Sequence, residues 1–117
     1  MAVTAQDSGT KTATGGGVED TLVDVAVAGT FTLHVDTNAM VAGDICELRI
    51  YQIVLTGGTR HVAYYARFDG APPTDDIIKI SVPISNELTD SGSLRFTLEQ
   101  SGAGTDKAFP WKVLKYA

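Results

Sequence analysis

From residue 18 onward, apolar and polar positions alternate with a period of two. Val23, Val25 and Val27 alternate with Asp24 and Ala26, and Phe31, Leu33 and Val35 alternate with Thr32, His34 and Asp36. This is the pattern of half-buried β-strands, whose successive side chains point to opposite faces. Residues 45–55, ICELRIYQIVL, read as a long strand, with Cys46, Leu48, Ile50 and Val54 on one face and Ile45, Tyr51, Ile53 and Leu55 on the other. Thr56-Gly57-Gly58-Thr59 supplies a hairpin turn, and residues 60–68 return with Val62, Tyr64, Ala66 and Phe68 on one face. Ile78, Ile80 and Val82 alternate with Lys79 and Ser81, and Leu94, Phe96 and Leu98 with Arg95, Thr97 and Glu99. A turn over residues 101–107 leads to a last strand marked by Phe109, Trp111 and Val113. Pro110 lacks an amide donor, so this strand is expected at an edge or with an irregular start.

Seven short strands separated by Gly, Pro and Asp turns predict an all-β, antiparallel β-sandwich that is jelly-roll-like. An immunoglobulin-type sandwich is disfavoured because there is no Cys…Trp…Cys framework. Residues 36–43 break the rhythm; Asp36 or Thr37 is expected to cap one helical turn that Gly43 ends. Residues 1–17, MAVTAQDSGTKTATGGG, have no aromatic residue and no periodic apolar face. They are expected to form a flexible N-terminal arm, able to reach about 55 Å when extended, beside a single β-sandwich domain over residues 18–117. Deleting the arm is expected to leave the fold intact and to weaken attachment to a partner.

Composition narrows the possible functions. The 117 residues are 44% hydrophobic and 20% charged, as in an ordinary globular domain. Nine Lys and Arg against 14 Asp and Glu give a net charge of −5, which opposes non-specific nucleic-acid binding. No apolar run approaches the roughly 20 residues of a membrane helix, so no membrane is expected as a partner. A lone cysteine and an opening MAVTAQ without a basic, apolar signal fit synthesis in a reducing compartment.

Candidate chemistry is sparse. His34 and His61 have no neighbouring nucleophile motif and read as surface residues, and Cys46 reads as core. Asp75 and Asp76 lack the alternating-acid spacing of a cation loop, and neither Gly15-Gly16-Gly17 nor the Gly102–Gly104 pair opens a helix as a phosphate cradle does. No catalytic residue, metal site or cofactor is therefore expected. Trp111, Tyr64, Tyr65 and Tyr51 offer a stacking platform for sugars, although Trp111 fits a core-facing row better. Apolar residues on both faces of the hairpin over residues 45–68, together with the arm, point to binding of surfaces. The interaction candidates are Thr10, Lys11 and Thr12 in the arm and Tyr51, Ile53, Tyr65 and Arg67 in the hairpin.

The order of segments resembles a family of tailed-phage head proteins, the capsid decoration or cement proteins. The similarity is carried by FTLHVDTNAMVAGD (31–44), ELRIY (47–51), LTGGTRHVAYYARF (55–68), SVPIS (81–85), LRFTLEQSGAG (94–104) and AFPWKVLKY (108–116). The resemblance implies a non-enzymatic virion protein, made in the host cytoplasm, that docks on the major capsid protein shell, often as a homotrimer. It names no functional residue. The alternative is a carbohydrate-binding module or small lectin-like sandwich using the aromatic platform.

Overall fold

The computed structural model describes residues 2–102 and 107–116, and among them the alternating segments become strands and no helix occurs. The strands are β1 (Val3–Thr12), β2 (Val18–Val25), β3 (Gly29–Asp36), β4 (Asp44–Gln52), β5 (His61–Asp69), β6 (Ile78–Ile80), β7 (Ile84–Asn86), β8 (Leu94–Gly102) and β9 (Ala108–Tyr116). One sheet has the order β1-β9-β3-β6, with β7 also paired to β3, and the other has the order β2-β8-β4-β5. Every pairing is antiparallel. Successive strands cross between the sheets except at the β4–β5 hairpin and along the split β6–β7 edge. That crossing order is the double Greek key of a jelly roll. Phe31, Leu33 and Val35 of β3, with Phe109 and Val113 of β9, form one wall of the core; Cys46, Leu48 and Ile50 of β4, with Leu94, Phe96 and Leu98 of β8, form the other.

The flexible arm expected over residues 1–17 is corrected by β1, which runs beside β9 from Val3↔Tyr116 to Thr12↔Ala108 with one bulge between Ala5 and Asp7. The alternation is missing because β1 lies at an edge, where main-chain bonding to β9 holds it and most of its side chains meet water. Its inward-facing Gly9 accepts the Trp111 ring, whose nearest atoms lie 3.5 Å from where a Cβ would stand. After β1, Ala13 is buried, and Asp20 takes hydrogen bonds from the Thr14 amide (2.9 Å) and hydroxyl (2.7 Å).

Three further expectations change. Strand β9 is central, between β1 and β3, and is not an edge. Pro110 is tolerated because the β3 ladder ends at Val35↔Trp111, one residue short of it, while the β1 ladder uses its odd-numbered neighbours. Residues 37–43 form tight turns instead of a helical turn: Met40 N–H donates to Thr37 O and Asp44 N–H to Val41 O, while buried Thr37 donates its hydroxyl to Ile77 O at 2.6 Å. The long strand expected over residues 45–55 stops at Gln52. The turn that follows has Gly57 at φ 78° and the bond Gly58 N–H to Leu55 O, and Asp90 accepts the Gly57 amide. The expected turn over residues 101–107 lies largely outside the described residues.

The fourth change concerns β6, whose alternation is present but inverted. Lys79 and Ser81 are buried, while Ile78, Ile80 and Val82 are 49%, 57% and 54% exposed. The Lys79 ammonium bonds the Asp76 carboxylate (2.8 Å) and carbonyl (2.7 Å) and lies over the Phe68 ring. A lysine so paired fills the seam between the two sheets without leaving a bare buried charge. Ser81 extends the ladder through its side chain, its hydroxyl accepting the Leu33 amide at 2.9 Å.

Candidate functional site

The outer face of the β2 sheet is a charge-compensated ladder. Alternation along β2, β8, β4 and β5 turns Glu19, Arg95, Thr97, Glu99, Glu47, Arg49, Tyr51, Tyr65 and Arg67 to one side. Arg49 bonds Glu99 at 3.0 Å and Glu47 at 3.4 Å and lies over the Tyr65 ring, while Arg95 grips Asp24 with two bonds of 2.7 and 2.9 Å. Glu19 accepts from Tyr51 and Thr97, both at 2.6 Å. Burial pushes the Glu19 carboxyl up, but these two bonds and the nearby Arg49 and Arg95 together hold it below the usual carboxylate range. The bond to Glu19 pushes the Tyr51 phenol up in turn. This face meets most of its own charge needs within the chain.

The structure therefore divides the sequence-derived interaction candidates between two faces. Tyr51, Tyr65 and Arg67 belong to the ladder; Tyr65 donates to Glu47 and Arg67 to Asp69. Ile53, past the end of β4, leaves the outer face and is buried beside Gly58. Thr10, Lys11 and Thr12 are on β1, in the opposite sheet.

The outer face of the β1 sheet is different in character. A groove of about 500 Å³ crosses its strands, from Ser8 and Thr10 of β1, over Pro110 and Lys112 of β9, to His34 and Asp36 of β3 and Ile78 of β6. Gly9 and Trp111 complete its lining, and the Trp111 ring itself lies against Gly9 and the core. His34 bonds Thr32 at 2.9 Å, and burial together with Lys112 lowers its pKa, so its ring is neutral at pH 7. The groove opens onto the exposed row Ile78, Ile80 and Val82. Val54 and Leu55, at the tip of the β4–β5 connection, are 73% and 74% exposed and form a separate apolar spot. The sequence shows the apolar row openly, as an alternation with Lys79 and Ser81 that marks a strand and leaves open which face is outward.

Among the described residues, no three His, Cys, Asp or Glu side chains come close enough to hold a metal ion. His61 is exposed at the start of β5, and Asp76 is engaged by Lys79. Cys46 is fully buried, and burial with the Glu47 charge pushes its thiol pKa up to about 12. Because the thiolate is the reactive species, iodoacetamide at pH 8 is expected to label Cys46 at least ~100-fold faster in denaturant than in the native protein. Mass spectrometry of timed aliquots checks this, and comparable rates in both states would contradict the buried position.

No protein-family model matches the chain, and no curated protein does. Among solved structures, it is similar to a chain of infectious bursal disease virus Gt strain (20% identity, TM-score 0.48, covering 96% of this chain and 31% of that one). It is also similar to the infectious bursal disease virus VP2 subviral particle (17%, TM-score 0.49, 97% and 30%). A third is the Clostridium thermocellum xylanase 10B with its CBM22-1 and GH10 modules, complexed with xylohexaose (10%, TM-score 0.39, 97% and 25%). The chain spans less than a third of each of these chains.

Proposed function

We propose that this chain is a non-enzymatic structural virion protein that docks on the outer surface of a phage capsid shell and stabilises the assembled lattice. The observation that carries the reading is the row Ile78, Ile80 and Val82, turned outward while Lys79 and Ser81 are turned in. A contiguous exposed apolar strip on a small domain marks an interaction surface. It agrees with the resemblance of the segment order to decoration proteins. Binding across subunit boundaries favours the assembled shell by mass action, and repetition over a lattice adds avidity.

The test uses undecorated shells of the virion that encodes this chain, with wild type and the double variant Ile78→Asp/Ile80→Asp. Wild type is expected to bind and to raise the temperature at which the shells come apart. The double variant is expected to keep the wild-type unfolding midpoint, since both side chains are exposed, and to bind at least ~30-fold more weakly. Shells unaffected by wild type, or bound equally by both proteins, would remove the proposal.

A second reading, a sugar-binding sandwich, is favoured by the groove, whose lining includes Asp36, His34, Lys112 and Trp111. Glycan-array binding abolished by Asp36→Ala, with shell binding absent, would replace the first reading by this one.

A further inference from the structure

We propose that β1 pairs with β1 of a second copy about a two-fold axis at Gly9, joining the two β1 sheets into one. The inference is independent of what the chain docks on. Among the described residues, only β9 pairs with β1, so the other side of a ten-residue strand is open. Open strand edges are templates for another strand.

The main-chain geometry selects which residues can pair. Ala13 N–H donates to Lys107 O at 2.8 Å, in the same register as Lys11↔Phe109, Gly9↔Trp111 and Asp7↔Val113. In an antiparallel ladder, alternate residues turn their N–H and C=O to the same neighbour. The odd-numbered residues of β1 therefore bond β9, and Ser8, Thr10 and Thr12 present their amides and carbonyls to the open edge. The Ser8 amide confirms this, because it bonds the Asp7 side chain at 2.8 Å and no residue of β9. Only registers that place even residues opposite even residues satisfy these groups.

Charge then selects one register. The strand carries Asp7 and Lys11 and no other charge. A two-fold axis at Asp7 or at Lys11 sets like charges opposite each other. An axis at Gly9 sets Asp7 opposite the partner's Lys11 and Lys11 opposite the partner's Asp7. It also pairs Ser8 with the partner's Thr10, and Thr10 with the partner's Ser8, each pair exchanging two N–H···O bonds. Gly9 meets Gly9 as a close pair without hydrogen bonds, a position where the absence of side chains lets the backbones approach. The bulge before Asp7 ends the pairing at that point. In the single chain, Asp7 covers the Ser8 amide; on pairing, that amide passes to the partner's Thr10 and the carboxylate faces the partner's Lys11. The Trp111 ring over Gly9 lies next to the junction and, as the one tryptophan of the chain, reports on it.

Sedimentation equilibrium from low micromolar to about 1 mM, a range that covers weak specific association, is expected to show a monomer giving way to twice the 12.4 kDa chain mass. The Trp111 emission is expected to shift over the same concentrations. Asp7→Lys and Lys11→Asp, each alone, set like charges opposite and are expected to weaken the dimer at least tenfold. An equimolar mixture of the two variants sets opposite charges at both positions and is expected to dimerise at least as tightly as wild type. Misfolding of either variant cannot produce that recovery; if one fails to fold, the double variant Asp7→Lys/Lys11→Asp, which restores the pairing, takes its place. A wild type that stays monomeric to 1 mM, a trimer such as the decoration-protein resemblance implies, or single variants that dimerise like wild type would each overturn the proposal.

Discussion

Deleting residues 2–12 is expected to cost on the order of 3–5 kcal/mol, a third or more of the stability of a domain this size. The deletion removes the β1 ladder and with it the cover over one flank of β9. Phe109 and Val113, now fully buried, lose their neighbours Lys11 and Asp7, and the Trp111 ring loses the Gly9 backbone it rests on. Uncovering about 100 Å² of apolar surface costs roughly 2.5 kcal/mol, and carbonyls and amides of β9 lose their partners as well. A far-ultraviolet circular dichroism melt checks the expectation, with a midpoint at least ~12 °C lower or no cooperative transition at all. A truncated chain that melts within a few degrees of full length would show β1 to be the dispensable arm that its composition implies. This result separates fold from docking, because the charge variants of β1 leave the ladder to β9 in place.

Replacing Asn86 by Ala is expected to cost about 3 kcal/mol, far more than the size of the side chain implies. Asn86 is buried on β7, and its amide nitrogen stands 2.9 Å from Val27 O, 3.0 Å from Leu88 O and 3.1 Å from the Ser93 hydroxyl. Its oxygen accepts the Leu88 amide, and Ser93 donates on to Val25 O at 3.1 Å. One side chain thus ties an edge of the β1 sheet to the end of β2 and the start of β8. Without it, several buried polar groups lose their partners where water does not reach, and each such loss costs about 1–3 kcal/mol. Urea unfolding measures the effect, with Ser85→Ala as the neighbouring control; the Ser85 hydroxyl is exposed and bonds that of Thr30, while its carbonyl, which accepts from Gln52, is kept in the variant, so the loss is expected within about 0.5 kcal/mol of wild type. Equal midpoints for the two variants would show that the cluster contributes nothing.

Neither effect is legible in the sequence alone. Asn86 stands in SNELTDSG, a stretch with the composition of a surface connection, and nothing local marks it as buried. Val27, its partner, lies 59 positions away. β1 carries no apolar rhythm because, at an edge, its hold on the fold is through main-chain bonds, which every residue but proline can make. The row Ile78, Ile80 and Val82 misled in the opposite sense. Its period of two marks a strand, but alternation gives the period and not the phase. The phase was decided by Asp76 and Phe68, which make the seam the better place for Lys79.

Alternation along the chain is enough to set the class of the fold and most of its core. Phe31, Leu33 and Val35, Cys46, Leu48 and Ile50, and Leu94, Phe96 and Leu98 lie buried as their alternation requires, because a strand buried on one face must repeat every second residue. The tertiary structure alone decided which strands are neighbours, which side of β6 meets water, and that Thr10, Lys11 and Thr12 share no face with Tyr51, Tyr65 and Arg67. The difference is one of range: alternation is a property of adjacent residues, whereas edges, seams and outer faces exist only once strands distant in the chain have paired.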